Sequence, residues 1–142
     1  MSPRINKKGS TKRKKDLEID QQNTKILRNV GDSEAFYFYE SVGRPTGKSA
    51  KNLIDFLNTV KMVKLESLQF HIERKDFQKW FKETLGDDLL AERMERLELA
   101  ESEELRARIK EILEYRLREL QDTYVTLEMK SEEPATNYQQ IS

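Results

Sequence analysis

The stretch SLQFHIERKDFQKWFKETLG, residues 67–86, decides how this chain folds. Ser67 and Asp76 are residue types that cap helix N-termini, and apolar residues at helical spacing follow each of them. The stripe after Asp76 consists of Phe77, Trp80, Phe81 and Leu85. Gly86 then supplies a helix stop. We therefore expect two short helices here, with the aromatic stripe in the core rather than exposed as a platform for base stacking.

An aromatic run precedes this stretch. Residues 35–39, AFYFY, favour a β-strand whose two phenylalanines face one side and whose two tyrosines face the other. We expect a loop over residues 43–47. Asn52 then begins a helix as its N-cap, with Asp55 in a variant of the capping box. The apolar face of that helix consists of Leu53, Phe56, Leu57 and Val60.

The segments that follow predict further helices and a last strand. Asp87 or Asp88 caps a helix whose apolar residues are Leu90, Met94 and Leu97. Ser102 starts the longest helix, which its pattern ends near Gln121. The apolar stripe of this helix consists of Leu105, Ile109, Ile112, Leu113, Leu117 and Leu120. Residues 124–130 alternate with a period of two, which indicates a strand.

Together these patterns predict an α+β fold: a helix-rich small domain with a short antiparallel sheet and a long C-terminal amphipathic helix. A chain of 142 residues is long enough for one domain with tails. We divide it into a basic flexible arm at 1–15, a linker at 16–33, a single α+β domain at 34–130 and a polar C-terminal tail at 131–142.

Charge is distributed unevenly along the chain. The whole chain carries 26 basic and 26 acidic residues, but the arm holds seven basic residues and no acidic one. The rest therefore has 19 basic and 26 acidic residues, a net charge of −7. Basic N-terminal arms commonly bind nucleic acid, although a solubilising tail without a specific partner is the alternative. The residues predicted to bind RNA are Arg4, Lys7, Lys8, Lys12, Arg13, Lys14 and Lys15.

The composition excludes several kinds of site. Without cysteine there are no disulfides or thiolate metal sites, which fits a reducing cytosol, so we expect a cytoplasmic protein. A single histidine cannot form a paired-histidine metal site, and we expect no metal, cofactor or small-molecule substrate. No window approaches the roughly 20 apolar residues of a membrane span, and no apolar stretch follows the basic residues as in a secretory signal. We therefore expect no membrane partner.

Residues 43–49, GRPTGKS, resemble a phosphate-binding loop without its spacing. Such a loop has four residues between its glycines, so that successive N–H groups wrap the phosphates, whereas three stand here. Pro45 also removes one amide donor. We interpret the segment as a turn, with Pro45 at its first central position and Gly47 at a positive φ.

His71 is the one histidine of the chain and the one candidate for acid–base catalysis. A catalytic imidazole needs an orienting carboxylate, which Glu73 or Asp76 could provide. However, His71 stands between Phe70 and Ile72, which favours a buried structural histidine, and Asp76 is better explained as a helix cap. We therefore predict no catalytic residue and no enzyme.

Residues 35–97 carry a pattern that resembles a known domain family. It consists of FYFY at 36–39, G-x-P-T-G at 43–47, S-L-x-F-H-x-x-R-x-D-F-x-x-W at 67–80 and L-G-D at 85–87. The pattern is similar to a domain of unknown function that is common in archaea and found in some bacteria, sometimes beside carbohydrate-active or signalling enzymes. The resemblance implies a small helical accessory domain, an archaeal source and no established reaction.

We expect a non-enzymatic factor associated with RNA, in particular with ribosomal RNA or a ribosomal subunit. The arm would dock on RNA, while the body would act as a homodimeric bridge or as a blocker of a ribosomal subunit, as in translation regulation or hibernation. The expected dimer or partner interface is the apolar stripe of the longest helix, Leu105, Ile109, Ile112, Leu113, Leu117 and Leu120. The alternative, suggested by the resemblance, is a regulatory or scaffold module that binds a metabolic, carbohydrate-active enzyme.

Overall fold

The computed structural model describes residues 17–131, with side chains described through residue 122. It confirms a helix-rich α+β fold with a two-stranded antiparallel sheet and a long C-terminal helix. In chain order the elements are α1 (17–27), a 3₁₀ turn (Asp32–Glu34), β1 (Phe36–Ser41), β2 (Arg44–Ala50), α2 (Leu53–Val60), α3 (Leu65–Arg74), α4 (Asp76–Lys79) with a π-helical continuation (Trp80–Leu85), α5 (Asp88–Glu95) and α6 (Glu103–Ser131).

The aromatic core that the sequence predicts is confirmed. The ring of Phe56 on α2 lies at its centre and contacts five other aromatic rings at centroid distances of 4.9 to 5.4 Å. Those partners are Phe36, Phe38, Phe77, Trp80 and Phe81. The strand, α2 and the α4 segment therefore meet in one buried cluster, and the apolar stripe of α6 packs against the same core.

The segment that we expected to be a loop, residues 43–47, belongs to a hairpin. β1 and β2 pair antiparallel around a turn at Val42 and Gly43, where Gly43 takes a φ of +76° that glycine adopts without strain. Pro45 and Gly47 favour a turn by composition, but β2 lies at the edge of the sheet and its register is irregular. An irregular edge strand tolerates both residue types, so residues that are typical of turns did not prevent a strand here.

The expected linker at residues 16–33 is likewise structured where it is described. Residues 17–27 form α1, and Ile26 and Val30 lie buried in the core. The Asn23 amide nitrogen donates to the Leu120 carbonyl at 3.3 Å, which attaches α1 to α6. The many polar residues of this segment indicated a linker, but tertiary contacts stabilise a helix there. Residues 1–16 and 132–142 lie outside the described residues, and the domain boundaries remain predictions.

The end of α6 was also predicted wrongly. The helix continues to Ser131, beyond the expected end at Gln121, and replaces the strand expected at 124–130. A period-two pattern makes a strand only where a neighbouring strand accepts its backbone hydrogen bonds. An established helix instead satisfies each added amide internally, so extending α6 costs less than starting an isolated strand.

The helix caps were mostly predicted correctly. The Asn52 and Asp87 side chains accept backbone N–H groups at the starts of α2 and α5, at 2.7 and 3.1 Å. Gly86 ends the preceding helix at a φ of +81°. Ser67 is one exception, because α3 begins at Leu65 and Ser67 lies buried in its first turn. Asp76 is a second, because α4 begins at Asp76 itself and its N-cap is Lys75.

Replacing the central ring tests the core. Phe56→Ala should lower the free energy of unfolding by about 3–5 kcal/mol, because it removes a fully buried ring that the surrounding rings cannot replace. Urea denaturation measures the change. Ile54→Ala on the exposed side of the same helix is the control and should cost less than about 0.5 kcal/mol. Similar losses for the two variants would contradict this account of the core.

Candidate functional site

His71 lies at the junction of β1, α3 and α4. Its Nδ1 is 2.8 Å from Oδ2 of Asp76, and its Nε2 is 2.8 Å from the backbone nitrogen of Tyr39. The ring is buried and packs against Phe36 and Phe77 at centroid distances of 4.8 and 5.5 Å. One imidazole therefore connects three elements of the fold.

A left-handed residue places Asp76 beside the imidazole. Lys75 follows α3 with a φ of +64°, and this conformation turns the chain so that α4 begins immediately afterwards. Such a conformation costs a non-glycine residue roughly 1–2 kcal/mol, which the contacts around it must offset. The Asp76 carboxylate accepts from His71 and from Nε of Arg74 at 3.1 Å, and Asp76 is the first residue of α4, whose N-cap is Lys75. The expectation that Asp76 is a helix cap was therefore wrong.

The two hydrogen bonds define the protonation of His71. Because the Tyr39 N–H donates to Nε2, that nitrogen must be unprotonated, so Nδ1 carries the proton and donates it to Asp76. Burial lowers the pKa of His71, while the hydrogen bond and negative charge of Asp76 act to raise it and the charge of Arg74 acts to lower it. The ring is therefore held neutral in the folded chain.

This geometry supports the structural interpretation of His71. Of the two carboxylates considered as its partner, Asp76 and not Glu73 contacts it. Both ring nitrogens are already committed within the protein, and neither is free to take a proton from a substrate. His71 thus holds the end of α3 against the strand.

A cleft of about 440 Å³ opens beside this junction, between the hairpin and the α3–α4 segment. Its aromatic and apolar lining includes Tyr37, Tyr39, Val42, Phe70 and Trp80. The charged groups at the cleft are Arg74, Asp76, Lys79 and Glu83. A cleft of this size and mixed lining is suited to a small planar ligand or to part of a larger one.

Several aromatic rings of the cleft are fixed in place. The Tyr37 hydroxyl donates to the Asp32 carbonyl at 2.6 Å, although the residue is 48% exposed. Trp80 donates from Nε1 to the Glu34 carbonyl at 2.8 Å. The guanidinium of Arg74 lies 5.0 Å from the centre of the Phe70 ring. The lining is thus organised before any ligand arrives.

The sequence prediction missed these tyrosines as site residues. It did place Tyr37 and Tyr39 opposite the two buried phenylalanines of β1, and the structure confirms that alternation. An aromatic pair at positions i and i+2, on the face opposite the buried phenylalanines, was the available signal. It could not show that α3 and α4 stand across from the pair and make a cleft.

The lysine and serine of the loop-like motif lie in β2. Lys48 and Ser49 are exposed, and α2 starts only at Leu53. A phosphate-binding loop joins a strand directly to a helix N-terminus, which this arrangement does not. The positive φ predicted for Gly47 is confirmed at +85°, although it belongs to a strand irregularity and not to the turn that we expected.

The structure describes the predicted interface residues but not the predicted RNA-binding residues. The seven basic residues of the arm lie outside the described part of the chain. Of the six interface residues, Ile112 is partly buried, and the other five are buried in the core of their own chain. Those five are Leu105, Ile109, Leu113, Leu117 and Leu120. A second copy could not contact them unless that core opened.

Arginines of the helices are engaged in ion pairs or capping bonds that the sequence did not reveal. Arg93 makes two hydrogen bonds to the Glu119 carboxylate, at 2.8 and 3.0 Å, and these lower the pKa of Glu119. Arg116 donates to Asp87 at 2.9 Å and to Glu119 at 3.0 Å. Arg106 donates to two carbonyls at the end of α2. These side chains attach α6 to its neighbours.

The pH dependence of stability tests the state of His71. We expect its folded pKa to lie below the ordinary value of about 6.5, so the unfolded chain binds a proton first as the pH falls. Stability from the neutral ring is complete above pH 6.5 and is lost below it, by up to about 1.4 kcal/mol per pH unit. NMR titration follows the single imidazole without overlap from others.

His71→Asn provides the control, because carboxylates titrate in both proteins. The fall in unfolding free energy between pH 7 and pH 5 should be shallower in the variant. A folded pKa at or above the value of the urea-unfolded chain would show that the imidazole is not held neutral.

Removing Arg116 tests the ion-pair network. Arg116→Ala leaves the carboxylate of Asp87, which is 1% exposed, without its cationic partner, and should lower the unfolding free energy by about 3 kcal/mol. Arg108→Ala on the same helix removes an exposed pair with Glu104 and should cost under about 0.5 kcal/mol. If the two variants unfold at the same denaturant midpoint, the network has no stabilising role.

Comparisons with other proteins give no family assignment: no protein-family model, curated protein or solved structure matches this chain. The resemblance of residues 35–97 to an archaeal domain family therefore stays a prediction. Among the described residues no helix is long and apolar enough to cross a membrane. Between residues 17 and 122, where side chains are described, no group of three or more acidic or histidine side chains is arranged to hold a metal ion.

Proposed function

We propose that this chain is a non-enzymatic RNA-associated factor that contacts RNA through residues 1–15, with ribosomal RNA as its natural partner. The observation that carries the proposal is the charge of this segment, seven basic residues and no acidic one. The remaining residues have a net charge of −7. Attraction to a polyanion is therefore concentrated in one short segment.

Counterion release provides the binding energy. Each phosphate that a lysine or arginine neutralises frees a condensed cation, so affinity falls steeply as salt rises. Seven contacts on single-stranded RNA would give a log–log slope of up to about −5. The four consecutive cations Lys12 to Lys15 make this segment the densest positive charge in the chain.

The ion pairs of the folded body also favour residues 1–15 as the RNA-binding segment. Arg93, Arg106 and Arg116 bind carboxylates or carbonyls within the fold. Arg44, Lys51 and Lys75 pair with acidic neighbours at the surface. Cations that are already paired attract phosphate weakly, because an incoming phosphate must compete with a carboxylate. The folded body then contributes shape, occupying a surface beside the RNA.

The proposal requires one copy of the chain. The stripe expected to mediate dimerisation is used in the core, so bridging by a homodimer would need another surface. Blocking a site on a ribosomal subunit needs only a tethered body of sufficient size. We therefore propose the blocking form of the translation-regulation hypothesis rather than the bridging form.

Truncation at each terminus tests the proposal. Deletion of residues 1–15 should weaken binding to ribosomal RNA more than about 100-fold in 50 mM salt, because it removes the seven cations. Deletion of residues 132–142, which removes a segment of similar length without a lysine or arginine, should leave affinity unchanged. Fluorescence anisotropy at several salt concentrations measures both.

Cosedimentation with ribosomal subunits in lysate checks the natural partner. The full chain should migrate with subunits at low salt and with free protein at high salt. Full affinity for RNA after deletion of residues 1–15 would contradict the proposal. A protein partner that is retained by the truncated chain, without RNA, would favour a regulatory or scaffold module instead.

A further inference from the structure

The cleft beside His71 has the features of a stacking site. Tyr37 and Tyr39 extend from one face of β1, and Phe70 stands across from them on α3. The Tyr37 ring is held by its hydroxyl bond to Asp32 and still leaves half of its surface open. A fixed, half-exposed aromatic ring offers a planar apolar surface that loses little conformational freedom when a second ring stacks on it.

The charges at the cleft suit a nucleotide. Arg74 already lies over the Phe70 ring, and it holds Asp76 together with His71, so that acidic group is compensated. Lys79 forms no ion pair within the described part of the chain and can face a phosphate. Glu83 adds a carboxylate acceptor, which suits the amino group of a base. Rings, one free cation and one acceptor together match a base with its phosphate.

The cleft is linked to helix α1, the first element that the structure describes. Arg28, just after α1, donates to the carbonyl of Thr84, a residue of the cleft, at 2.8 Å. Helix α1 covers 11 residues from 17 to 27, which is about 16 Å. The N-terminal end of α1 therefore lies about one helix length from the end that contacts the cleft, and residues 1–15 precede it in the sequence.

We propose that the cleft between the hairpin and the α3–α4 segment accepts an unpaired base of single-stranded RNA, stacked on Tyr37 and Tyr39. The inference rests on the proposed function and adds a preference for unpaired RNA. In a duplex the bases are stacked on one another and cannot enter the cleft, whereas the basic segment alone accepts either form.

Two variants of the full chain separate stacking from charge. The double variant Tyr37→Ala, Tyr39→Ala should bind a single-stranded 12-nucleotide RNA about 10-fold more weakly or worse, with the same salt slope as the unchanged chain. Its affinity for duplex RNA of the same length should not change. Tyr115→Ala is the matched control, because Tyr115 on α6 is 53% exposed and lies outside the cleft, near Arg93 of α5 and Arg118 of α6.

Trp80 reports on the cleft directly. It is the only tryptophan of the chain and lines the cleft, so the entry of a base should change its fluorescence. Single-stranded RNA should change this emission, and duplex RNA should not. Circular dichroism tests whether the double variant is folded. If it is distorted, Tyr37→Phe is measured as well; this variant keeps the ring and should bind within about twofold of the original affinity.

The outcomes distinguish the two proposals. Salt-dependent RNA binding that neither alters Trp80 emission nor weakens in the tyrosine variants would overturn the stacking site and leave the proposed function standing. Equal weakening by Tyr115→Ala would also overturn it. A full chain that binds no RNA at low salt would refute both, whereas a Trp80 response that survives deletion of residues 1–15 would support the cleft alone.

Discussion

Two hydrogen bonds of one buried imidazole connect β1, α3 and α4 in the described fold. His71 accepts from the backbone of β1 and donates to Asp76, so it covers an open strand edge and fixes the turn between α3 and α4. The left-handed conformation of Lys75 brings Asp76 to this imidazole, and the Lys75 N–H donates to the Ile72 carbonyl at 3.1 Å. The cleft lies beside this junction, between the hairpin and the α3–α4 segment.

The parts of the fold that local chemistry determines were predictable. Asn52, Asp87 and Gly86 end or begin helices through interactions within a few residues, and the alternation of residues 36–39 fixes which rings are buried. The parts that depend on tertiary partners were not. Residues 44–50 become a strand only beside β1, and the polar segment 17–27 becomes a helix by packing Ile26 into a core contributed by the rest of the chain.

The candidate site shows the same limit. The sequence makes Asp76 resemble a helix cap, but Asp76 is the first residue of α4, and the turn at Lys75 places its carboxylate beside His71. The stripe of α6 has the width of an interface, yet its leucines close the core of their own chain. Tyr37 and Tyr39 were predictable as a pair on one face of β1, whereas the opposite wall of the cleft comes from residues more than thirty positions away. A pattern along one element cannot show what stands across from it.

Positive charge is thus concentrated in residues 1–15, whereas the cleft is formed by the folded residues that follow. Photochemical crosslinking to RNA in cells, followed by identification of the crosslinked peptides, tests that account most directly, because it reports which residues contact RNA in the natural complex. The account predicts crosslinks within residues 1–15 and at the tyrosines of β1. Crosslinks confined to the acidic body away from both places, or no crosslinked RNA at all, would contradict it.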